Sequence, residues 1–143
     1  MKRWIALCLV LLTVGVWAAD ELQLTTGWQY NKNDRKRILA PTATKYDVTG
    51  DGVIENVQLI PTNVAGSATA LELGGVTTPG FGWFHNTDPT NHVKVGTYAT
   101  PTNFVALVEL KPDEKAALFL ATTNVAAVAL TNSVKLDYMI VDR

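Results

Sequence analysis

The C-terminal stretch Ser133–Arg143 reads SVKLDYMIVDR and alternates between apolar and polar residues. Side chains at every second position of a β-strand share one face. One face would carry Val134, Leu136, Tyr138 and Ile140, and the opposite face Lys135, Asp137 and Met139. The stretch therefore predicts a long closing strand with one buried face.

Four shorter runs, each next to residues typical of turns, predict further strands: GFGWFHN (80–86), HVKVG (92–96), NFVALVEL (103–110) and AALFLATT (116–123). Aromatic residues on both faces of the first run predict that it is buried. Pro112 and Asp113 separate the last two runs and predict a hairpin. Helix signals are nearly absent, and strands that recur every roughly 8–12 residues are typical of sandwiches. The sequence predicts an all-β fold, a single antiparallel β-sandwich or jelly-roll-like domain.

Length and composition limit the class of protein. A chain of 143 residues can bury one core, and 48% hydrophobic with 17% charged residues excludes a disordered chain. The net charge of -1 argues against a nucleic-acid partner bound through its phosphates.

The N-terminus differs from the rest of the chain. Lys2 and Arg3 precede the apolar run WIALCLVLLTVGVWAA, so residues 1–19 resemble a signal peptide and predict export. Sixteen residues are few for about 30 Å of hydrocarbon, so we expect no stable membrane insertion; a retained anchor is the alternative. Removing 1–19 would remove the only cysteine, Cys8, and change the net charge to -3, with 10 basic against 13 acidic residues.

Residues 20–45 are predicted to be a polar N-terminal arm that precedes the sandwich domain at 46–143. Its most polar part, from Gly27 to Ala43, contains NKNDRKR and is expected to be a mobile arm or long loop. The basic cluster would either contact an acidic partner or nucleic acid, or be a solvated loop, and the interruption by Asp34 favours the solvated loop.

The stretch YDVTGDGVIENVQL (46–59) allows two interpretations. Asp47, Asp51 and Glu55 offer hard oxygen ligands for a short calcium turn. The spacing is not that of an EF-hand, because Gln58 stands where a bidentate glutamate should close the shell. KYDV and VIENVQLI also resemble two strands, and Gly-Asp-Gly suits a hairpin turn with positive φ. We favour the hairpin turn, with calcium as the alternative and no other cofactor.

Catalytic signals are weak. His85 and His92, with Asp88 between them, would form a zinc site only if their strands pair, and surface histidines are the simpler interpretation. Neither Ser67 nor Ser133 lies in a nucleophile motif. The sequence predicts that the protein is not an enzyme.

Two other segments predict turns. Pro79–Gly80 in TTPG suits a type II turn, with glycine supplying positive φ. In NTDPTN, Asn86 and Asp88 are each expected to bond their own backbone two residues on.

These segments, in order, resemble a family of small structural proteins of tailed phages and prophages. The resemblance covers about residues 46–143 and lies in DVTGDGVIENVQLIPT, ALELGGVTTPGFGWFHNTDPTNHVKVG, LVELKPDEKAALFL and SVKLDYMIVDR. It implies a virion-associated structural protein. Members of such a family assemble in the cytoplasm, so the signal-like segment of this chain is a departure.

Two functions follow. The first is a structural component of a phage or phage-like particle, as capsid decoration, tail or fibre, whose partners are other particle proteins and copies of itself, with a trimer as one state. The second is an exported module that binds a carbohydrate or cell-surface ligand. In that case Trp28, Tyr30, Trp83 and Tyr98 would offer stacking faces, although we expect Trp83 to be buried in the core. The expected location is the virion or the extracellular medium.

Overall fold

The computed structural model describes residues 21–32, 35–48, 50–62, 67–100 and 102–143. The signal-like segment 1–19 lies outside these ranges. The chain divides into two compact units, Met1–Asp47 and Val48–Arg143. The described residues form antiparallel sheets and include no helix. None of them therefore belongs to a helix with the length and hydropathy needed to cross a membrane.

The first unit contains one long antiparallel pair of strands, β1 (Glu21–Lys32) and β2 (Arg35–Asp47), here called the ribbon. Its register runs from Glu21 opposite Asp47 to Lys32 opposite Arg35, with one irregularity between Thr26 and Trp28. The long loop expected at 27–43 is therefore wrong, since all described residues of that segment belong to strands, while the mobile arm stays a prediction. The segment is polar and shows no alternation of apolar residues, which is why strands β1 and β2 were not predicted there.

The second unit contains eight strands. They are β3 (Val53–Ile60), β4 (Thr69–Ala70), β5 (Pro79–Asn86), β6 (Val93–Tyr98), β7 (Phe104–Leu110), β8 (Lys115–Phe119), β9 (Val125–Ala129) and β10 (Val134–Asp142). They form two four-stranded antiparallel sheets. Sheet I has the order β3-β10-β5-β8, and sheet II has the order β4-β9-β6-β7.

Both sheets contribute to one hydrophobic core. Sheet I supplies Val134, Leu136, Tyr138 and Ile140, which were predicted to share a buried face and are all fully buried. It also supplies Ile60 and Phe84. Sheet II supplies Val93, Val95, Leu110, Val125, Ala127 and Ala129. The closing strand is therefore confirmed, and it occupies an inner position of sheet I between β3 and β5. Strand β9 was missed because VAAVA is a short apolar run without alternation; all five residues are buried.

Consecutive strands mostly alternate between the two sheets, which corrects two predicted hairpins. β7 pairs with β6 and β8 pairs with β5, so the turn between them carries the chain from sheet II to sheet I. The turn itself forms: the Glu114 N–H donates to the Lys111 carbonyl at 3.0 Å, and Asp113 has a φ of 60°. Likewise β2 pairs with β1 and β3 pairs with β10, so 46–59 is no hairpin.

The two remaining turn predictions have opposite outcomes. Asn86 Oδ1 accepts the Asp88 N–H at 3.0 Å, and Asp88 Oδ1 accepts the Thr90 N–H at 2.9 Å, which confirms both local side-chain bonds. Pro79–Gly80 forms no type II turn, because both residues belong to β5 and the φ of Gly80 is not positive. The turn lies earlier, where the Val76 N–H donates to the Leu73 carbonyl and Gly74 has a φ of 55°.

Candidate functional site

The Gly-Asp-Gly segment is held by the C-terminal strand. Asp142 is only 6% exposed, and its Oδ1 accepts the N–H groups of Thr77 and Thr78 at 2.9 and 2.8 Å. Its Oδ2 accepts the Gly52 N–H at 3.2 Å, while the Asp142 N–H donates to the Gly52 carbonyl at 2.8 Å. A buried carboxylate thus ties the start of β3 to the segment before β5. Sequence reasoning missed Asp142, because nothing in one sequence links position 142 to position 52.

Gly50 and Gly52 are needed for close approach and not for an unusual backbone conformation. Neither has a positive φ. A Cβ on Gly50 would lie 2.4 Å from the Cβ of Asp142, and one on Gly52 would lie 2.5 Å from Asp142 Oδ2. The expected hairpin role of these glycines is therefore wrong, since the Asp142 side chain occupies the space that a side chain would take.

The three candidate calcium ligands occupy different elements. Asp47 is the last residue of β2, in the first unit. Asp51 is exposed just before β3, and Glu55 is exposed within β3, opposite Met139. Among the described residues, no group of three or more histidine, cysteine or acidic side chains could hold a metal ion. Calcium binding at Asp47, Asp51 and Glu55 stays a prediction.

His85 belongs to β5 of sheet I, whereas His92 lies just before β6 of sheet II, and each contacts a different carboxylate. His85 Nε2 lies 2.9 Å from Asp113 Oδ1, and His92 Nδ1 lies 3.0 Å from Glu109 Oε1. The hydrogen bond from each histidine lowers the pKa of its carboxylate partner. β5, which contains His85, does not pair with β6, which follows His92, because β5 belongs to sheet I and β6 to sheet II. The strand pairing on which the zinc alternative depended is therefore not formed.

The outer face of sheet I is the face that points away from the core, and its side chains follow from the strand register. From one end to the other, its rows are Val53–Val141–Phe81–Phe119, Glu55–Met139–Trp83–Ala117, Val57–Asp137–His85–Lys115 and Leu59–Lys135. Val53, Val57 and Leu59 are 60%, 59% and 60% exposed, and Phe119 is 59% exposed. Both edge strands therefore expose apolar side chains on this face, next to the charged Glu55 in β3 and Lys115 in β8.

Strand β3 points Val53, Val57 and Leu59 outward together with Glu55, while Ile54 and Ile60 pack toward the core. Its residues Asn56 and Gln58 face the core side, where Asn56 Nδ2 lies 3.2 Å from the Tyr138 hydroxyl and that hydroxyl lies 3.0 Å from Gln58 Oε1. The alternation of VIENVQLI would place its valines inside on hydrophobicity alone. The polar network around Tyr138 satisfies the inward groups, so the outward valines are a feature of the surface and not a register error.

A concavity of about 380 Å³ lies in the middle of this outer face. It is lined by Glu55, Trp83, Asp137, Tyr138 and Met139 and is here called the groove. The ring of Trp83 is half-buried and lies 5.8 Å from the ring of His85. The expected core burial of Trp83 is therefore wrong, because the residue belongs to the outward row with Met139. An aromatic face beside two carboxylates can bind a cation or a sugar ring.

The other proposed stacking residues do not extend the groove. Tyr98 ends β6, in sheet II, whereas Trp83 belongs to sheet I. Trp28 and Tyr30 belong to β1, and their side chains lie outside the description. Ser67 and Ser133 are both exposed. The groove is thus the feature that sequence reasoning did not find, since its residues come from three strands separated by up to 84 positions.

No model of a known protein family matches this sequence, and no curated protein or solved structure matches it either.

Proposed function

We propose that this chain is a non-enzymatic structural protein of a phage or phage-like particle, which acts by self-association and by docking on other particle proteins. The observation that carries the proposal is the outer face of sheet I, where an edge strand directs Val53, Val57 and Leu59 to solvent. An apolar face of this kind is typical of surfaces that assemble. The resemblance over 46–143 to virion-associated proteins supports the same role.

We infer further that sheets I and II form a jelly-roll sandwich. With β3 to β10 lettered B to I in chain order, sheet I reads B-I-D-G and sheet II reads C-H-E-F. This is the strand order of a jelly roll, and the shared core between the sheets supports face-to-face packing. Jelly rolls build viral capsid domains and also lectins, so the fold is compatible with both functions considered for this chain.

The test is purification of particles on a density gradient, followed by quantitative mass spectrometry. We expect the protein in the particle band, at a copy number that stays constant relative to the main coat protein across fractions. A protein found at the top of the gradient and absent from the particle band would contradict the proposal.

The groove favours a second candidate, an exported module that binds a carbohydrate or cell-surface ligand. Trp83 offers a ring face, and Glu55 and Asp137 offer acceptors for sugar hydroxyls. Retention on a polysaccharide column that is lost on Trp83→Ala would support this function. Passage of the starting chain without retardation would exclude the polysaccharide used.

A further inference from the structure

We propose that strand β3 of one copy pairs with β3 of a second copy, antiparallel and about a two-fold axis. The two four-stranded sheets I would then join edge to edge. An edge strand accepts a further strand through its main-chain hydrogen-bonding groups, which is a common mode of association. The inference rests on the proposed self-association and identifies the strand and the register through which it occurs.

The outer edge of β3 presents main-chain donors and acceptors. Sheet I begins with β3, and β10 is its neighbour. The Asp142 N–H bonds the Gly52 carbonyl, so in this regular register the even-numbered residues of β3 bond β10 and the odd-numbered ones turn their N–H and C=O groups away. Within the described part of the chain, these outward groups have no backbone partner. They belong to Val53, Glu55, Val57 and Leu59.

The other edges of sheets I and II carry features that oppose such pairing. Strand β4 has only two residues, and β7 bulges at Leu107, which has no partner in the register with β6. Strand β8 has five residues and begins at Lys115. Short length, bulges and lysines are the means by which sheet edges avoid pairing with other chains. Strand β3 has eight residues, a regular register, and neither lysine nor proline, so it is the edge that is open to a second copy.

The sequence of β3 is self-complementary when the two-fold axis passes through Val57. On the core side, the facing pairs are then Ile54 with Ile60 and Asn56 with Gln58. On the outer side, Val57, which is 59% exposed, meets Val57 of the second copy. Apolar residues thus face apolar residues and amides face amides, and such cross-strand pairs stabilise a sheet.

The same axis keeps like charges apart. Glu55 is the one charged residue of β3, and it faces Leu59 of the second copy in this register. An axis at Glu55 would set the two carboxylates directly opposite each other, and an axis at Asn56 would set them diagonally, about 7–8 Å apart. The charge of Glu55 therefore favours the axis at Val57.

The extent of the pairing predicts a weak dimer. Residues 54–60 face their counterparts, and at about 3.4 Å per residue in a layer about 10 Å thick each copy contributes on the order of 250 Å². A stable interface buries about 800 Å² per partner. The contact is therefore weak between free copies and becomes effective where a particle holds many copies close together.

Charge at Val57 tests the pairing and its axis by sedimentation velocity at concentrations up to about 1 mM, where a weak dimer is populated. We expect V57K and V57E each to weaken association about fivefold or more, because the axis sets like charges opposite each other. An equal mixture of V57K and V57E should associate within about threefold of the starting chain or more tightly, since opposite charges then meet. Phe119, on the other edge of sheet I, is equally exposed at 59%, so F119K and F119E are the matched controls and should associate like the starting chain.

Proline tests whether the contact is made by the main chain. V57P removes an N–H that points away from β10, so it leaves the ladder within the sheet intact and should abolish association. The matched control is A117P, in the outer edge strand β8. The Leu120 N–H bonds the Gly80 carbonyl, so the even-numbered residues of β8 bond β5 and the Ala117 N–H points away from it. Circular dichroism and thermal melting verify that the variants are folded, and V57K with V57E carries the test if V57P is not.

The contradicting outcomes are distinct. Tighter association of V57K than of the starting chain would show that residue 57 faces Glu55 of the second copy and would overturn the register. Weakening by F119K or A117P would assign the contact to β8, and unchanged association of all variants would exclude β3; either result overturns the inference while the proposed self-association stands. A starting chain that is monomeric at every concentration would contradict the proposed self-association as well.

Discussion

Asp142 and Gly52 are hydrogen-bonded in both directions. The Gly52 N–H donates to the Asp142 carboxylate at 3.2 Å, and the Asp142 N–H donates to the Gly52 carbonyl at 2.8 Å. With Thr77 and Thr78 bonded to the same carboxylate, one side chain fixes three separated segments of the second unit. The segment that resembled a calcium loop in the sequence is thus shaped by a residue some 90 positions away.

Replacing Asp142 by alanine would leave three backbone N–H groups without their acceptor. We expect D142A to lower the free energy of unfolding on the order of 3 kcal/mol, and D142N to lower it less because one amide oxygen remains. Urea unfolding followed by tryptophan fluorescence measures both values. D51N, at an exposed position of the same region, is the control; equal losses for D51N and D142A would refute the role given to Asp142.

A methyl group at Gly52 should be harmful although the backbone there is ordinary. Its Cβ would lie 2.5 Å from Asp142 Oδ2 and 2.9 Å from the Gly75 carbonyl oxygen. We expect G52A to cost about 1–3 kcal/mol by overpacking. G75A is the matched control, because a Cβ there has nothing within 4 Å, and thermal melting should show no loss of stability. A neutral G52A would show that the close approach is not required.

The hydroxyl of Tyr138 links β3 to the segment before the Gly74 turn. It lies 2.8 Å from the Glu72 carbonyl and 3.0 Å from Gln58 Oε1. We expect Y138F to destabilise the fold by about 1 kcal/mol, and Y98F, at a half-exposed position, to have little effect. Burial raises the pKa of Tyr138, and the Glu72 carboxylate adds to the rise. In an ultraviolet titration, Y138F should therefore remove a tyrosine that ionises above its ordinary value of 10.0; unchanged curves would contradict the network.

Asp88 should make the stability of the 86–91 turn depend on pH. The backbone N–H of Thr90, and then that of Asn91, lower its pKa from 3.8. A carboxylate whose folded pKa is depressed stabilises the fold above its unfolded pKa, and this stabilisation is lost as the pH falls through the folded pKa. The difference in unfolding free energy between the starting chain and D88N should thus shrink progressively as the pH falls from about 5 through and below the ordinary aspartate value of 3.8. A difference that stays constant over that range would show that the charge of Asp88 is irrelevant.

The all-β class and six strand positions could be predicted because their apolar runs are strong and bounded by turn residues. The pairing of these strands within the two sheets could not be predicted. Pro112 and Asp113 signal a turn equally well whether the chain returns to the same sheet or crosses to the other one, and here it crosses. The same limit applies to His85 and His92, which are close in sequence, although His85 belongs to β5 of sheet I and His92 precedes β6 of sheet II.

The groove was beyond prediction for a related reason. Trp83 in an aromatic run favours burial, and only the register with Met139 puts it on the outward face. Val53 and Val57 likewise point outward in the register that puts Ile54 and Ile60 at the core and gives Tyr138 its polar partners on the inner side of β3. Which face of a strand is buried depends on its neighbours, and the neighbours are distant in the chain.

The most direct test of the structural role is the mass of the N-terminal peptide, measured separately from gradient-purified particles and from the soluble extracellular fraction. The account predicts that the protein is recovered from the particles, and a chain there that begins at Met1 would mean that the apolar segment is retained. Recovery only as soluble protein, beginning near Ala19 or Asp20, would contradict it and would leave the exported binding module as the function.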